Sequence, residues 1–214
     1  LILFDDFLGD DIDYRWWLRY KRGDVAADWC TYQMGDPAQS VVEDGLLKLY
    51  AHINGDSFRT GAIWTKGKLT YKPPFRVDCR ARFTQMGTGI WYAIWAAPDA
   101  GYQYGEIDIC EKLNFGTATY HTCHTLYTLN TAAINQKKET YLNEAGETVS
   151  NYNQGIAQDA MLPGAFNVFS VEITDDQIVW YVNGTPVHVY KHFVHSAADP
   201  LYSQLKPQEK EYYF

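Results

Sequence analysis

The sequence predicts an all-β protein in which two antiparallel sheets pack into a jelly-roll sandwich. Apolar and polar residues alternate in many short segments, which recur at spacings of about 8–15 residues. Turn signals such as Asn-Gly separate the segments, and neither a sustained 3.6-residue apolar stripe nor an internal repeat runs through the chain. Strands of this kind have one apolar face to bury, and two stacked sheets bury both faces.

Three segments carry the clearest strand pattern. They are "GLLKLYAHI" at 45–53, "FRVDCRARF" at 75–83 and "VFSVEITDDQIVWYVNGTPVHVY" at 168–190. The last predicts three short strands, joined by a polar turn and by an Asn-Gly hairpin turn. Two other segments, "IAQDAMLPG" at 156–164 and "SAADPLYSQL" at 196–205, predict short helices in loops between strands.

Composition and length predict one domain with aromatic residues to spare. The 214 residues contain no linker rich in Pro, Gly, Ser or like charges, so residues 1–214 are expected to form a single domain. Apolar residues make up 46% of the chain and aromatic residues 16%, including 7 Trp and 17 Tyr. This supplies a sizeable core and leaves aromatic surface to contact a partner.

The charge balance argues against two classes of partner. There are 18 basic and 26 acidic residues, a net charge of −8, and no basic stripe, which disfavours nucleic acid and anionic membranes. No apolar run approaches the roughly 18–20 residues of a membrane span. The start, "LILFDDFLGD", lacks the basic segment of a signal peptide, so any export signal is expected to have been removed.

The four cysteines, Cys30, Cys79, Cys110 and Cys123, lie singly in the sequence. None forms a C-x-x-C pair or has a histidine at metal-binding spacing, so no metal site is predicted from them. Buried thiols are expected, and one disulfide stays open as an alternative.

The stretch "YGEIDICEKLN", residues 104–114, crowds three carboxylates together. In a regular strand Glu106 and Asp108 share one face and Glu111 points the other way. A β-bulge inserts one extra residue, so a bulge near Ile109 and Cys110 would bring Glu111 onto the face of the other two. The spacing therefore predicts one row of three acids on a bulged strand.

Three carboxylates on one face repel one another, which raises the pKa of at least one and keeps it protonated near neutral pH. A neutral acid beside an ionised carboxylate is what a retaining glycosidase requires, with the two groups about 5–5.5 Å apart. The alternatives are a polar strand face that binds calcium or is simply solvated. A third alternative is a carbohydrate-binding module, which holds sugar by aromatic stacking without cleaving it.

The run from Glu106 to Glu111 resembles the E-x-D-x-x-E signature of glycoside hydrolase family 16, in the bulged form of laminarinases, agarases, carrageenases and endo-β-galactosidases. Four other segments resemble the family in the same order: "FDDFLGDDIDYRWW", "VEDGLLKLYAH", "GIWYAIWAAP" and "FSVEITDDQIVWYVNG". The resemblance implies a concanavalin A-like jelly roll and a retaining glycoside hydrolase. The family continues through further strands beyond the point where this chain stops at "KEYYF", so the domain is expected to be truncated at its C-terminus.

The resemblance also implies a role for each acid. Glu106 would be the nucleophile that attacks the anomeric carbon and forms a covalent glycosyl-enzyme. Glu111 would be the general acid that protonates the leaving oxygen and then the base that activates water. Asp108 would hydrogen-bond the nucleophile and keep Glu111 protonated through its own charge.

Substrate-binding residues are predicted around the acids. Trp91 and Trp95 share a strand face in "GIWYAIW" and would stack on a pyranose, with core packing as the alternative. His124 follows a T-x-H pattern that the resemblance places in the cleft, while His121, an odd number of residues away, should face the other side. Two further cleft residues are predicted from "FRTGAIW", namely Arg59 and Trp64.

The resemblance leaves the substrate open, because Tyr92 stands where laminarinases typically carry proline. We expect an endo-acting enzyme on β-1,4 or β-1,3 linkages of a galactose-containing polysaccharide or glycan, with an endo-β-1,3-glucanase as the close alternative. No cofactor or catalytic metal is expected, and a structural calcium ion is compatible with the sequence. A monomer that is secreted, periplasmic or at the cell surface is expected.

Overall fold

The computed structural model of the protein describes residues 1–19, 25–27, 30–32, 37–54, 57–84, 86–99, 105–124, 140–142, 145–150, 155–157, 160–191 and 211–214. Within these residues the regular structure is β-strand, apart from a single 3₁₀ turn at Pro37–Gln39. The chain forms two compact units, Leu1–Thr70 and Tyr71–Phe214. The single catalytic domain over residues 1–214 stays a prediction.

Eight short strands belong to the first unit. They are β1 (Leu18–Arg19), β2 (Val25–Ala27), β3 (Cys30–Tyr32), β4 (Ser40–Glu43), β5 (Leu46–Leu49), β6 (Ala51–Asn54), β7 (Ser57–Thr60) and β8 (Ile63–Trp64). The described residues of the second unit form eleven strands. They are β9 (Phe75–Ala81), β10 (Trp91–Pro98), β11 (Glu106–Leu113), β12 (Thr119–His124), β13 (Thr140–Leu142), β14 (Thr148–Ser150), β15 (Gly155–Ala157), β16 (Asn167–Ile173), β17 (Gln177–Val182), β18 (Thr185–Lys191) and β19 (Tyr212–Tyr213).

The first unit pairs its strands two by two, as β1 with β8, β2 with β3, β4 with β5 and β6 with β7. The predicted strand "GLLKLYAHI" is divided between β5 and β6 at Tyr50. There the backbone changes partner, because the N–H of Tyr50 donates to Gln39 while its carbonyl accepts from Gly61, each at 2.8 Å. One continuous apolar pattern thus serves two hairpins.

The second unit contains two larger antiparallel sheets. One has five strands in the order β15-β12-β11-β10-β19, and the other has four in the order β18-β17-β16-β9. The three strands predicted over 168–190 are confirmed as β16, β17 and β18. Asn183 and Gly184 connect β17 to β18 with φ of 52° and 81°, the left-handed backbone that a two-residue hairpin turn requires.

The core of the second unit lies between these two sheets. It combines Ile107, Ile109, Cys110 and Cys123 of the five-stranded sheet with Phe169, Val171, Ile173, Ile178, Trp180 and Val182 of the four-stranded sheet. The indole N–H of Trp180 crosses between the sheets and donates to the carbonyl of Asp108 at 2.8 Å. The two apolar faces bury each other, and the predicted antiparallel jelly-roll sandwich is confirmed.

The short helix predicted over 156–164 is wrong. Residues 155–157 form β15, which pairs with the edge of β12 through Thr119 to Ala157 and Tyr120 to Ile156, and the described residues 160–164 form bends and a turn. An unpaired strand edge next to the segment outweighs its weak helical preference. The second predicted helix, at 196–205, lies outside the described residues.

Three cysteines, Cys79, Cys110 and Cys123, are free thiols, and the side chain of Cys30 lies outside the described ones. Burial raises the pKa of the Cys79 thiol to about 11. In the part of the chain that the structure describes, no helix is long and apolar enough to cross a membrane.

Candidate active site

The strand β11 contains the bulge that the carboxylate spacing predicts. Against β12, Asp108 lies opposite Thr122 and Glu111 lies opposite Tyr120, so three steps along β11 match two along β12. The register with β10 shifts at the same place. One extra residue therefore lies between Asp108 and Glu111, and the predicted bulge is confirmed.

The bulge brings the three acids onto one face of the five-stranded sheet. Directly opposed residues of antiparallel strands share a face. Trp95, Asp108 and Thr122 form one cross-strand row. A second row contains Glu111 between Ala93 and Tyr120. We call this surface the acidic face; it contains Glu106, Asp108, Glu111, His124, Trp91 and Trp95.

His124 supplies the positive partner of the acidic face. It lies opposite Glu106 on β12, and its Nε2 is 2.8 Å from Oδ2 of Asp108 and 3.7 Å from Oε1 of Glu106. Burial alone would lower the pKa of His124, but the hydrogen bond to Asp108 and the charges of the carboxylates outweigh it and raise the pKa above its ordinary value. His124 is therefore more readily charged than an exposed histidine.

Glu111 has the properties of a proton donor near neutral pH. Burial, and then the charge of Asp108, raise the pKa of Glu111 to about 7. Two neighbours oppose the shift, because Trp91 Nε1–H donates to Oε1 of Glu111 at 2.7 Å and His124 contributes positive charge. The carboxyl group is thus balanced between its two protonation states near pH 7.

Both tryptophans predicted to bind sugar lie on the acidic face. Trp91 is 45% exposed although its indole N–H is bound to Glu111, so its ring remains open to solvent. Trp95 is half-buried and lies opposite Asp108. Neither belongs to the hydrophobic core between the sheets, which disfavours the alternative of core packing.

The other residues singled out in the sequence are His121, Arg59 and Trp64. His121 is fully buried on the opposite face of β12, as the odd spacing from His124 predicts. Arg59 on β7 and Trp64 on β8 lie in the first unit, half-buried, with the ammonium of Lys66 at 5.3 Å from the centre of the Trp64 ring. A role of Arg59 and Trp64 in binding substrate stays a prediction.

Sequence reasoning missed three residues that share the acidic face. Tyr120 and Thr122 precede His124 at the strand period of two, a signal that the T-x-H motif already offered. Ile156, 53% exposed on the edge strand β15, lies opposite Tyr120. No local pattern could have found Ile156, because its place depends on the pairing of β15 with β12.

The ligand atoms of Glu106, Asp108 and His124 all lie within 4.8 Å of one another, a spacing that a cation could bridge. Nε2 of His124 already lies 2.8 Å from Oδ2 of the buried Asp108. A metal ion bound there would have to displace this contact.

Comparison with known proteins finds two relatives and a solved structure of similar fold. Keratan-sulfate endo-1,4-beta-galactosidase of Sphingobacterium multivorum is 33% identical over 157 residues, 66% of this chain and 36% of that protein. Glucan endo-1,3-beta-glucosidase A1 of Niallia circulans is 30% identical over 209 residues, 86% of this chain and 28% of that protein. The crystal structure of laminarinase from Flavobacterium sp. UMI-01 superposes with a TM-score of 0.74 at 19% identity, covering 100% of this chain and 86% of that one.

The chain spans about a third of the length of the curated relatives it matches. The superposition with the laminarinase shows the same fold. The family model of an XgeA-like, catalytic GH16 domain matches residues 62–173, just over half of the chain, and this range includes the bulged strand with its three carboxylates. The chain belongs to glycoside hydrolase family 16.

Proposed function

We propose that the protein is a retaining endo-β-glycosidase that hydrolyses internal β-1,4 or β-1,3 linkages of a galactose-containing polysaccharide or glycan. One observation carries the proposal. Glu111, with a pKa of about 7, shares the face of a bulged strand with Glu106 and Asp108. A protonated carboxylic acid beside a carboxylate nucleophile is the arrangement that double displacement at a glycosidic bond requires.

In the first step, Glu106 attacks the anomeric carbon and forms a glycosyl ester as the bond to the leaving oxygen breaks. Glu111 gives its proton to that oxygen, so the departing sugar leaves as a neutral alcohol. In the second step, Glu111 takes a proton from water, the oxygen of that water attacks the anomeric carbon, and Glu106 is released as a carboxylate. Two inversions at one carbon retain the β configuration.

Asp108 and His124 would tune the two reacting groups. The charge of Asp108 is the second cause, after burial, of the raised pKa of Glu111, so it favours the protonated acid. His124 binds Asp108 at 2.8 Å and approaches Glu106 to 3.7 Å, which compensates the negative charge on the side of the nucleophile. The two glutamates are thereby held in different protonation states.

The substrate class rests on the relatives and on the aromatic surface. One relative is named for the β-1,4-galactosidic linkage of keratan sulfate and the other for β-1,3-glucan. The exposed ring of Trp91 beside Glu111 offers an apolar platform for a pyranose close to the proton donor. We favour the galactose-containing glycan and keep endo-β-1,3-glucanase activity as the second candidate.

We further propose a monomer that acts outside the cytoplasm, where such glycans occur, and that needs no cofactor. The raised pKa of His124 favours a positive charge beside Asp108 and Glu106. A structural calcium ion stays a prediction.

The test is incubation of the protein with keratan sulfate, agarose, porphyran, laminarin, mixed-linkage glucan and mucin-type glycans. Glu106→Gln serves as the inactive control. We expect new reducing ends and mixed oligosaccharides from a galactose-containing substrate, and proton NMR of the first products should show the β-anomer. Release from laminarin alone would favour the glucanase. Retention on a glycan without products would show a carbohydrate-binding module instead.

A further inference from the structure

The bulge in β11 is held from the core side by two buried side chains. The carbonyl of Asp108 accepts the indole N–H of Trp180 at 2.8 Å, and the carbonyl of Ile109 contacts Nδ1 of His121 at 2.7 Å. Both Trp180 and His121 are 0% exposed. A bulge disturbs the regular ladder of hydrogen bonds, and a buried carbonyl there needs a donor.

The contact with Ile109 fixes the tautomer of His121. A carbonyl oxygen only accepts, so Nδ1 of His121 must carry the proton and Nε2 must be the acceptor. Nε2 lies 3.1 Å from Oγ1 of Thr119, whose hydroxyl can donate to it. The ring is therefore held from both sides, between β12 itself and the bulge of β11.

The groups around His121 keep it neutral. Burial lowers the pKa of His121 to about 4, and it also lowers the pKa of the neighbouring His188 to about 4. The ring of the half-buried His188 packs on Trp180, with centroids 5.0 Å apart. His121 is therefore neutral near pH 7, and its two ring nitrogens contact the carbonyl of Ile109 and the hydroxyl of Thr119.

The position of the held carbonyl links His121 to the acidic face. Ile109 stands between Asp108 and Glu111, and the extra residue there is what brings Glu111 beside the other carboxylates. A change in the bulge would alter how far Glu111 is from Asp108 and Glu106 on its own strand, from His124 on β12 and from the Trp91 indole on β10. Those are the groups that set its protonation.

We infer that His121 is a positioning residue for the proton donor Glu111. Its Nδ1–H donates to the carbonyl of Ile109 and so fixes the bulge that places Glu111 on the acidic face. This inference rests on the proposed glycosidase function for its kinetic consequences. Its structural content, the tautomer of His121 and its effect on Glu111, does not depend on that function.

The experiment compares His121→Leu, which removes the donor, with His121→Asn, whose side-chain amide can place an N–H near the original Nδ1. We expect His121→Leu to lower kcat at least about tenfold with KM within about threefold, because Glu111 is no longer correctly positioned while the binding surface remains. The midpoint of the Glu111 carboxyl titration, followed by ¹³C NMR, should move by about half a pH unit or more. His121→Asn should return both values to within about threefold and about 0.2 units of wild type.

A core variant with the same loss of Tm as His121→Leu distinguishes an effect on the position of Glu111 from an effect of core packing. Ile173 is fully buried in β16, and its apolar side chain cannot hydrogen-bond the carbonyls of the bulge. The control variant is Ile173→Val, or Ile173→Ala where a larger loss of Tm is needed to match His121→Leu. It should leave the Glu111 titration unchanged. The inference is overturned if the Ile173 variant reproduces the shift, if His121→Leu leaves kcat and the titration as in wild type, or if His121→Asn restores neither.

Two further measurements cover a variant that does not fold and an enzyme that shows no activity. His121→Gln places its amide nearer Nε2, so it should behave like His121→Leu while keeping a polar group. In the wild-type protein, ¹⁵N NMR should show His121 as the Nδ1–H tautomer from about pH 5 to 8. An Nε2–H tautomer would overturn the inference with or without hydrolysis, whereas failure of every glycan in the substrate panel would overturn only the proposed function.

Discussion

The two faces of β12 place the same side chain in opposite environments. His124 lies on the acidic face, where a hydrogen bond to Asp108 and the nearby carboxylates raise its pKa despite burial. His121, three residues earlier, lies on the core face, where burial lowers its pKa to about 4. Burial disfavours the charge on both rings, and only His124 has anions close enough to reverse the effect.

The difference shows that the two faces of one strand can have different tasks, one presenting charged groups and the other supporting the backbone. The acidic face gathers the groups that exchange protons or carry charge. On the core side, two neutral donors bind backbone carbonyls: His121 on the core face of β12, and Trp180 on β17 of the facing sheet. The proposed chemistry therefore depends on both faces of the sheet, although only the acidic face would contact the glycan.

The largest expected effect comes from removing the proton donor from the acidic face. Glu111→Gln should lower kcat about 10²- to 10⁴-fold on an unactivated glycan, because an amide cannot protonate the leaving oxygen. Steady-state kinetics on the glycan identified by the substrate panel measures this. An aryl glycoside with a good leaving group serves as the control, since it needs less protonation and should lose less. Activity within a few-fold of wild type on the natural glycan would contradict the assigned role.

A second prediction concerns the removal of His124, the positive partner of the acidic face. His124→Gln should lower kcat about tenfold to a hundredfold, because Asp108 and Glu106 lose their compensating charge and their orientation. The positive charge of His124 lowers the pKa of Glu111, so its removal should raise that pKa and move the alkaline fall of kcat/KM to higher pH. The pH profile from about pH 5 to 9 measures the shift. A shift to lower pH would show that the sign is wrong.

A third prediction tests the hydrogen bond from Trp91. Trp91→Phe keeps an aromatic ring for the sugar but removes the N–H that stabilises ionised Glu111. The pKa of Glu111 should rise, and the alkaline limb should again move upward, with a loss of about twofold to tenfold in kcat/KM. Trp95→Phe is the matched control, because the same change on the same strand face should leave the limb in place. Equal shifts in both variants would argue against a specific contact.

The smallest effect concerns stability against pH. The folded state raises the pKa of Glu111 from 4.5 to about 7, so folding opposes its ionisation and stability falls as pH rises between these values. Glu111→Gln escapes this loss and should melt later, relative to wild type, at pH 8 than at pH 5. Since the group is partly exposed, we expect a difference of about 1 kcal/mol, or roughly 2–4 °C in Tm. Thermal unfolding at the two pH values measures it, and an equal offset at both would refute the shift.

Much of the fold and the row of acids could be predicted because strand parity is local. The alternation in 168–190 gives the three strands, and the spacing of Glu106, Asp108 and Glu111 gives the bulge. The same parity separates His121 from His124. These inferences need only neighbouring residues and the period of two.

What could not be predicted depends on contacts between distant segments. The pairing of β15 with β12 places Ile156 on the acidic face and replaces an expected helix. The bond from Trp180 to Asp108 joins residues 72 positions apart, across two sheets. Such contacts follow from how the sheets stack, and no local sequence signal specifies the partner.

The bulge also changes how residue number relates to side-chain direction along β11. Side-chain direction in a strand depends on whether a residue number is odd or even, and one inserted residue reverses that assignment for everything beyond it. Glu111, Lys112 and Leu113 are therefore in the phase they would have if Cys110 were absent, with the acids spaced two and two. A chain shortened by Cys110 would keep the same acids on the same face, while the carbonyl of Ile109 would rejoin a regular ladder and His121 would lose its acceptor. Deleting the extra residue would thus leave the order of the acids on their face unchanged. What would change is the backbone hydrogen bonding of the strand.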